Sequence, residues 1–297
     1  MLIGKSIVIK EIRKFIEKAS RIEYSILLLG ETGVGKTLIA HLIHLHSKRK
    51  GGPFLHQNCS NIQETLFESE LFGHEKGSFT GAEKRKIGKI ELANGGTLLL
   101  DEIADLNPQN QAKLLLFLES GKFFRIGGTK EIKADVRVIS ASNKDLHKEI
   151  KEKRFREDLY YRISTLELHI PPLRERKEDI PLLIEYFLEI ENKENKTNKT
   201  ISKKALLKLM GYNFPGNIRE LENIIRRAFT LSEDNLIREE NILFPTRESK
   251  KKTEKKPRYS MEEILNILLK HNGNKTKAAK ELGISRRHIY RLIKSKK

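Results

Sequence analysis

The residues best suited to chemistry lie in a glycine-rich segment, GETGVGKT, between an apolar run, SILLL, and an amphipathic stretch. This order predicts a strand, a tight turn and a helix start, the context of a P-loop. Its glycines let backbone N–H groups turn toward phosphate oxygens, and the helix N-terminus favours negative charge. Lys36 would reach the β- and γ-phosphates of ATP, and Thr37 would ligate Mg²⁺. The predicted nucleotide-binding residues are Gly30, Glu31, Thr32, Gly33, Val34, Gly35, Lys36 and Thr37.

Two carboxylates, Asp101 and Glu102, follow the apolar run TLLL about sixty residues later. Open α/β sheets hold their ligands at the carboxyl ends of strands, so Asp101 is predicted to position Mg²⁺ and Glu102 to orient the attacking water. Asn143 follows the apolar run VRVIS and is suited to hydrogen-bond the γ-phosphate or that water. Arg156 and Arg162 are candidates for positive charge supplied to a neighbouring subunit.

The elements that must position these residues alternate along the chain. Apolar runs and amphipathic stretches follow one another from Ser25 to about Ile170, which predicts an α/β unit with a mainly parallel sheet. Only helical patterns follow up to about residue 245, with the polar stretch ENKENKTNKT interpreted as an exposed connection between two helices. The predicted domains are 1–172, an α/β nucleotide-binding part; 173–245, a helical lid; 246–258, a basic linker; and 259–297, a small all-α domain.

Charge is distributed unevenly along the chain. The net charge is +18, and the segment from Thr246 to Lys297 has 17 Lys and Arg against 5 Asp and Glu. This imbalance favours an anionic partner such as nucleic acid. The single cysteine, Cys59, excludes an intramolecular disulfide, and no apolar run approaches the roughly 20 residues of a membrane span. A soluble, cytoplasmic protein without a membrane partner is expected.

One further motif makes a family resemblance specific. The stretch Gly77–Ala82, GSFTGA, lies between the two nucleotide-site elements and differs at one position from the GAFTGA loop of the sigma-54-dependent, NtrC-like activators. The chain resembles this group of AAA+ proteins from LIGKS near its start to NILFP near residue 245. The resemblance implies an AAA+ P-loop NTPase with a helical lid, using ATP and Mg²⁺.

The same resemblance implies roles for individual residues. The loop would contact sigma-54 through the residues Gly77, Ser78, Phe79, Thr80, Gly81 and Ala82, with Phe79 and Thr80 touching the sigma factor. Asn58 resembles the switch that holds Glu102 away from water, and Arg219 resembles a sensor in the lid. Arg156 and Arg162 align with arginines that act on a neighbouring subunit, and LLLFLESGKFFRIGG resembles a second pore-facing loop.

The chain departs from the family pattern at three positions. Ser78 stands where the family usually has alanine, Phe214 where it has tryptophan and Leu116 where it has arginine. Ser78 adds a hydroxyl to the contact loop, and the other two are interpreted as packing or tuning changes. No N-terminal receiver or ligand-sensing domain precedes the predicted motor, so we expect regulation by a separate partner or through expression, or a truncated chain.

The C-terminal stretch NKTKAAKELGISRRHIYRLIK resembles a Fis-type helix-turn-helix. Ala278 and Ala279 would allow close helix packing, Gly283 would form the turn, and Ser285 would cap the second helix. That helix would meet base edges and phosphates of double-stranded DNA. The predicted DNA-binding residues are Lys275, Lys277, Ser285, Arg286, Arg287, Tyr290 and Arg291.

These features together predict an ATP-dependent activator. It would bind upstream DNA, form a homo-oligomer that ranges from a dimer to a ring of six or seven subunits, and remodel the closed complex of sigma-54 RNA polymerase into an open one. One alternative is an AAA+ machine of another kind, such as a helicase loader or a protein unfoldase. A second is a DNA-binding repressor whose motor has lost its output. The GSFTGA loop and intact Lys36, Asp101 and Glu102 favour the activator.

Overall fold

The structure is a computed structural model that describes residues 2–60, 64–245 and 261–283. The chain divides into two compact units, one reaching Leu243 and the other beginning at Phe244. None of the described helices combines the length and the apolar character that a membrane crossing needs.

A five-stranded parallel sheet forms the centre of the first unit. It consists of β1 (Ile26–Leu29), β2 (Phe54–Asn58), β5 (Thr97–Asp101), β8 (Arg137–Ser142) and β9 (Leu166–His169), in the order β2-β5-β8-β1-β9. Every neighbouring pair is parallel. The carboxyl ends of these strands therefore meet at one edge, where the polar residues that follow β1, β2, β5 and β8 converge.

Alternate residues of the central strands enter two different hydrophobic cores. Leu27, Leu98 and Leu100 belong to one cluster, whereas Leu28 and Leu99 belong to the other. Because successive side chains of a strand point to opposite faces, both faces of the sheet are covered. This explains why β1 and β5 are continuous apolar runs and not alternating patterns.

Helices pack on the two faces of this sheet, and the residues that the structure describes also form three short two-stranded pairs outside it. The helices of this part are α1 (Ile7–Ser20), α2 (Lys36–Leu45), α3 (Glu64–Phe72), α4 (Lys89–Leu92), α5 (Pro108–Ser120), α6 (Leu146–Lys151) and α7 (Glu157–Ile163). The short strands are β3 (Gly73–His74) with β4 (Lys86–Ile87), β6 (Lys122–Phe124) with β7 (Glu131–Lys133), and β10 (Thr200–Ile201) with β11 (Leu236–Ile237).

The helical lid contains α8 (Ile180–Asn195), α9 (Lys203–Met210) and α10 (Asn217–Leu231). Phe214 is fully buried in it, with its ring edge-on to Tyr212, so this departure from the family pattern is a packing position. Leu116 on α5 is 63% exposed and is not a packing position.

The polar stretch 191–200 is not an exposed connection throughout, because α8 continues through its first half to Asn195. Glu191 is buried and accepts a hydrogen bond from Arg226 on α10, which stabilises this last helical part against the lid. Lys199 donates to the backbone oxygens of Phe229 and Ser232. The predicted connection is therefore shorter than the composition of the stretch indicated.

The described part of the second unit contains α11 (Met261–Lys270) and α12 (Lys275–Glu281). Ala278 and Ala279 are buried together with Ile264, Leu268 and Leu282, as expected of small residues at a close helix contact. Asn274 caps α12, since its side-chain oxygen accepts from the backbone N–H groups of Thr276 and Lys277.

Candidate functional site

The glycine-rich loop leaves β1 at Gly30 and enters α2 at Lys36. Gly33 has a φ of +81°, in the left-handed region that favours glycine. A Cβ atom on Gly33 would lie 2.3 Å from the backbone oxygen of Gly216, at the start of the lid helix α10. Glycine is therefore required here both for the turn and for the close approach of the lid.

A cleft of about 660 Å³ lies between this loop, the sheet edge and the lid. It brings together most of the residues predicted for catalysis and nucleotide binding, although they come from widely separated parts of the chain. The predicted residues that line it are Thr32, Gly33, Gly35, Lys36, Thr37, Asn58, Asp101, Glu102, Asn143 and Arg219.

Lys36 is buried at the centre of this cleft. Its ammonium group donates to the backbone oxygen of Gly30 at 2.8 Å and lies 3.9 Å from Glu102 Oε1. Burial lowers the pKa of Lys36, while the charges of Glu102 and Asp101 act in the opposite direction. A cation with little water around it interacts strongly with an anionic group such as a phosphate.

Asp101 and Glu102 differ in their surroundings. Burial raises the pKa of Asp101, but a hydrogen bond from His56 and the charge of Lys36 outweigh this and hold it below its ordinary value. Burial raises the pKa of Glu102, and Lys36 offsets only part of the rise. Glu102 also has a φ of +54°, which is strained for a residue with a side chain. Such strain is typical of functional positions.

Asn143 connects two parts of the cleft. Its backbone N–H donates to Glu102 Oε2 at 3.1 Å, and its side-chain Nδ2 donates to Thr32 Oγ1 at 3.0 Å. The side-chain oxygen of Asn58 instead accepts from the backbone N–H and the hydroxyl of Ser60. Asn58 and Glu102 therefore line the same cleft, but in this state it is Asn143 that holds the carboxylate of Glu102.

Arg156 and Arg162 are not among the described residues that line the cleft. Arg156 donates two hydrogen bonds to Asp158, and Arg162 donates to the backbone oxygen of Leu118. Arg219 does line the cleft, from the first turn of α10. Action of Arg156 and Arg162 on a neighbouring copy stays a prediction.

One wall of the cleft was not predicted from the sequence. Its residues are Leu2, Ile3, Arg176, Leu183, Tyr186 and Phe187. Buried Asp179 holds the N-terminal segment against the lid, because its carboxylate accepts from the backbone N–H groups of Lys5 and Ser6 and from the Ser6 hydroxyl. The apolar face of the segment IPLLIEYFLEI, residues 180–190, could have indicated this wall, but such a face is equally typical of a helix that packs in a protein core.

The GSFTGA segment forms a compact turn in the loop that joins β3 to β4. The backbone N–H of Gly77 donates to the oxygen of Ala82, and that of Ala82 donates to the oxygen of Phe79. The Phe79 ring lies edge-on to His74, with centroids 4.9 Å apart, whereas Thr80 is exposed. The turn therefore leaves Thr80 exposed to solvent and packs Phe79 against His74.

The base of this turn is joined to the β6–β7 hairpin. Glu75 and Ile126 share a backbone hydrogen bond of 3.0 Å, and Arg125 contacts both Glu75 and Glu91. The predicted sigma-contact loop and the second predicted pore-facing loop are thus joined to each other by backbone and charged contacts.

Ser78 differs from its neighbours because its hydroxyl is buried without a hydrogen-bond partner among the described residues. A buried, unsatisfied polar group costs about 1–3 kcal/mol. Ser78→Ala is expected to raise the midpoint of thermal unfolding by about 2–4 °C, since removing the hydroxyl recovers about 1 kcal/mol. Differential scanning fluorimetry measures this shift.

Ser47→Ala is the matched control. The Ser47 hydroxyl is also buried, but it donates to the backbone oxygen of His44 at 2.7 Å. Its removal should lower the midpoint. A decrease for both variants would contradict the assignment at Ser78.

The predicted DNA-binding residues fall into two groups. Lys275 and Lys277 lie on α12, and Lys277 is exposed. The others lie outside the described residues: Ser285, Arg286, Arg287, Tyr290 and Arg291. The basic linker predicted for 246–258 also lies outside them.

Profiles of three known domain families match consecutive parts of the chain. The Sigma-54 interaction domain matches residues 2–169, and the AAA+ ATPase lid domain matches residues 174–259. The Fis family of bacterial regulatory proteins matches residues 260–294.

Individual relatives agree with these profiles. The nitrogen fixation protein AnfA of Azotobacter vinelandii is 43% identical over 97% of this chain and 56% of its own length. A Nif-specific regulatory protein of Rhizobium meliloti is 54% identical over 71% of this chain and 39% of its own length. The chain thus spans about half the length of the curated relatives it matches. The ADP complex of NtrX from Brucella abortus is similar in structure, with a TM-score of 0.77 and 34% identity over 99% of this chain and 68% of NtrX.

Proposed function

The chain belongs to the family of AAA+ proteins that carry the Sigma-54 interaction domain, and on this premise we propose that it is an ATP-dependent activator of sigma-54 RNA polymerase. One observation carries the proposal: a GSFTGA turn that exposes Thr80 occurs in the same unit as a cleft lined by Lys36, Asp101 and Glu102. The first feature suits contact with a partner, and the second suits hydrolysis of a nucleoside triphosphate.

Nucleotide binding follows from the geometry of the cleft. The N-terminus of α2 and the ammonium group of Lys36 favour the phosphates, and Arg219 adds positive charge from the lid. Leu2, Ile3 and Phe187 provide an apolar wall suited to a flat base. The ATP and ADP complexes of NtrX support the same ligand class for this chain.

The donor set of the cleft fits Mg²⁺. The Thr37 hydroxyl and the Asp101 carboxylate line the same cleft, and oxygen ligands are those that Mg²⁺ prefers. When bound, the ion would neutralise charge on the phosphate oxygens. Asp101, whose pKa is held below its ordinary value by His56 and Lys36, offers an ionised carboxylate to such an ion.

Hydrolysis is the transfer of the γ-phosphoryl group to water. Glu102 orients the water, and Asn143 keeps the Glu102 carboxylate in place through its backbone N–H. Arg156 and Arg162, which lie outside the cleft of their own subunit, act on the cleft of the neighbouring subunit. This action between subunits requires that copies of the chain associate, and the family resemblance indicates assembly from a dimer up to a ring of six or seven subunits. Asn58, from the end of β2, is the residue that senses whether the loop is engaged.

The activity is directed to a promoter by the C-terminal domain. Its Fis-type helices bind upstream double-stranded DNA through Lys275, Lys277 and the basic residues that follow Gly283. ATP hydrolysis moves the GSFTGA turn against sigma-54, which converts the closed complex to the open one. A protein with these partners works in the bacterial cytoplasm.

Open-complex formation tests this function. The chain is expected to open a supercoiled sigma-54 promoter when given ATP, sigma-54 and core polymerase, as detected by permanganate footprinting. It should not do so with ADP, or with polymerase carrying a sigma factor of another class. Hydrolysis of ATP without any opening would favour an AAA+ machine of another kind, and DNA binding without hydrolysis would favour a repressor.

A further inference from the structure

The lid is fastened directly to the glycine-rich loop through Asn217. This residue is fully buried, and its φ of +56° places it in the left-handed region. Its side-chain oxygen accepts from the backbone N–H of Leu173 at 2.8 Å, and its Nδ2 donates to the backbone oxygen of Thr32 at 3.0 Å. Both the oxygen and the nitrogen of the Asn217 side-chain amide are hydrogen-bonded, and these two bonds fix the orientation of the amide.

Two neighbouring contacts strengthen this attachment. The backbone N–H of Ile218 donates to the backbone oxygen of Gly33 at 3.0 Å. Arg174 donates two hydrogen bonds to Glu31, at 2.7 and 2.9 Å, and these hold the pKa of Glu31 below its ordinary value. Residues 31–33 of the loop are consequently fixed to the lid by backbone and side-chain bonds.

The side chain of Thr32 faces the catalytic residues. Its Oγ1 accepts from Asn143 Nδ2 at 3.0 Å, and the backbone N–H of Asn143 donates to Glu102 Oε2 at 3.1 Å. Asn217 in the lid is therefore bonded to the backbone of Thr32, the Thr32 side chain to the Asn143 side chain, and the Asn143 backbone to Glu102.

We propose that Thr32 is a positioning residue for ATP hydrolysis, an inference that rests on the proposed function. A P-loop binds phosphates through its backbone N–H groups and its lysine, so the hydroxyl of Thr32 is not needed for that contact. What the hydroxyl does is fix the amide of Asn143. An Asn side chain rotates broadly about its last bond and needs a partner to select one orientation.

This orientation determines what Asn143 offers to the reaction. Its Nδ2 carries two hydrogens, and Thr32 accepts one of them. Because the amide group is planar, this bond also fixes the direction in which the second N–H points. Asn143 also holds the Glu102 carboxylate through its backbone N–H. Thr32 therefore keeps Asn143 and Glu102 in a fixed position relative to the lid. Loss of the hydroxyl should slow the chemical step and leave the binding of ATP unchanged.

Steady-state kinetics of Thr32→Val, Thr32→Ser and the parent ring test the proposal. Valine keeps the shape of threonine without the hydroxyl, and serine keeps the hydroxyl. Thr32→Val is expected to lower kcat about tenfold, the effect of losing one hydrogen bond in the transition state. KM for ATP and the affinity for fluorescent ADP should stay within about twofold, and Thr32→Ser should restore kcat.

The same substitution in an Asn143→Ala protein distinguishes a role through Asn143 from a general distortion of the cleft. If Thr32 acts through Asn143, Thr32→Val should have no further effect on kcat in an Asn143→Ala protein. Thr230→Val, which removes an exposed hydroxyl from α10, is the control for the substitution itself. It should leave kcat unchanged.

Three results would overturn the proposal: an unchanged kcat for Thr32→Val, a loss confined to KM, or a full additional loss in the Asn143→Ala background. Failure of the proposed function looks different. In that case the parent ring itself would not hydrolyse ATP, or would hydrolyse it without opening the promoter.

Discussion

Replacing Glu102 by glutamine is expected to lower the rate of ATP hydrolysis by roughly 10²–10⁴-fold, the usual contribution of a catalytic base. The carboxylate lies at the end of β5, 3.9 Å from Lys36 and held by the backbone N–H of Asn143. Glutamine fits the same space and accepts the same hydrogen bond, but it cannot orient and polarise a water as a carboxylate does. The nucleotide should therefore bind and not turn over.

Two measurements on Glu102→Gln check this expectation. Release of phosphate from ATP gives the rate, and displacement of a fluorescent nucleotide gives the affinity, which should stay within about threefold of the parent. Glu11→Gln, an exposed substitution on α1, is the matched control and should leave both values unchanged. A parallel loss of affinity and rate would show that Glu102 binds the nucleotide and does not act on water.

Replacing Thr80 by alanine should have the opposite pattern, with hydrolysis retained and activation lost. Thr80 is exposed at the top of the GSFTGA turn, and the backbone bonds of that turn join Gly77, Phe79 and Ala82. Alanine leaves these bonds in place and removes only the hydroxyl and methyl groups offered to a partner. Open-complex formation is expected to fall at least about tenfold, as for loss of a central contact worth about 1–2 kcal/mol.

The comparison must be made at equal rates of ATP hydrolysis, so that a slower motor is not mistaken for a lost contact. Thr230→Ala removes an exposed threonine hydroxyl from α10 and should open the promoter as the parent does. If Glu102→Gln and Thr80→Ala lost hydrolysis equally, the division of labour between cleft and turn would be wrong. If the Thr80→Ala protein opened the promoter as well as the parent, the contact with sigma-54 would have to be made by other residues of the turn.

The local motifs could be predicted because their chemistry is local. A P-loop needs glycines, a lysine and a helix start within eight consecutive residues, and Gly30 to Thr37 provide them between β1 and α2. The alternation of apolar runs and amphipathic stretches likewise predicts the parallel sheet, because a strand covered on both faces has to be apolar throughout. The family resemblance added the GSFTGA turn to these predictions.

One prediction that depended on composition was wrong in part. The polar stretch 191–200 was expected to be an exposed connection, yet α8 continues to Asn195. The burial of Glu191 against Arg226 stabilises this helical part, and that contact joins residues 35 positions apart. Propensity describes a residue by itself, so it does not include a partner of this kind.

By itself, then, the sequence determined the fold class and the identity of Lys36, Asp101, Glu102 and Asn143 as candidates. Only the tertiary structure decided how they meet, because the strand order β2-β5-β8-β1-β9 differs from the order along the chain. That order places Asn143 beside Glu102, and the lid places Asn217 on Thr32. Each of these contacts joins residues that lie far apart in the chain, and such contacts are set by packing of the whole unit and not by any local pattern.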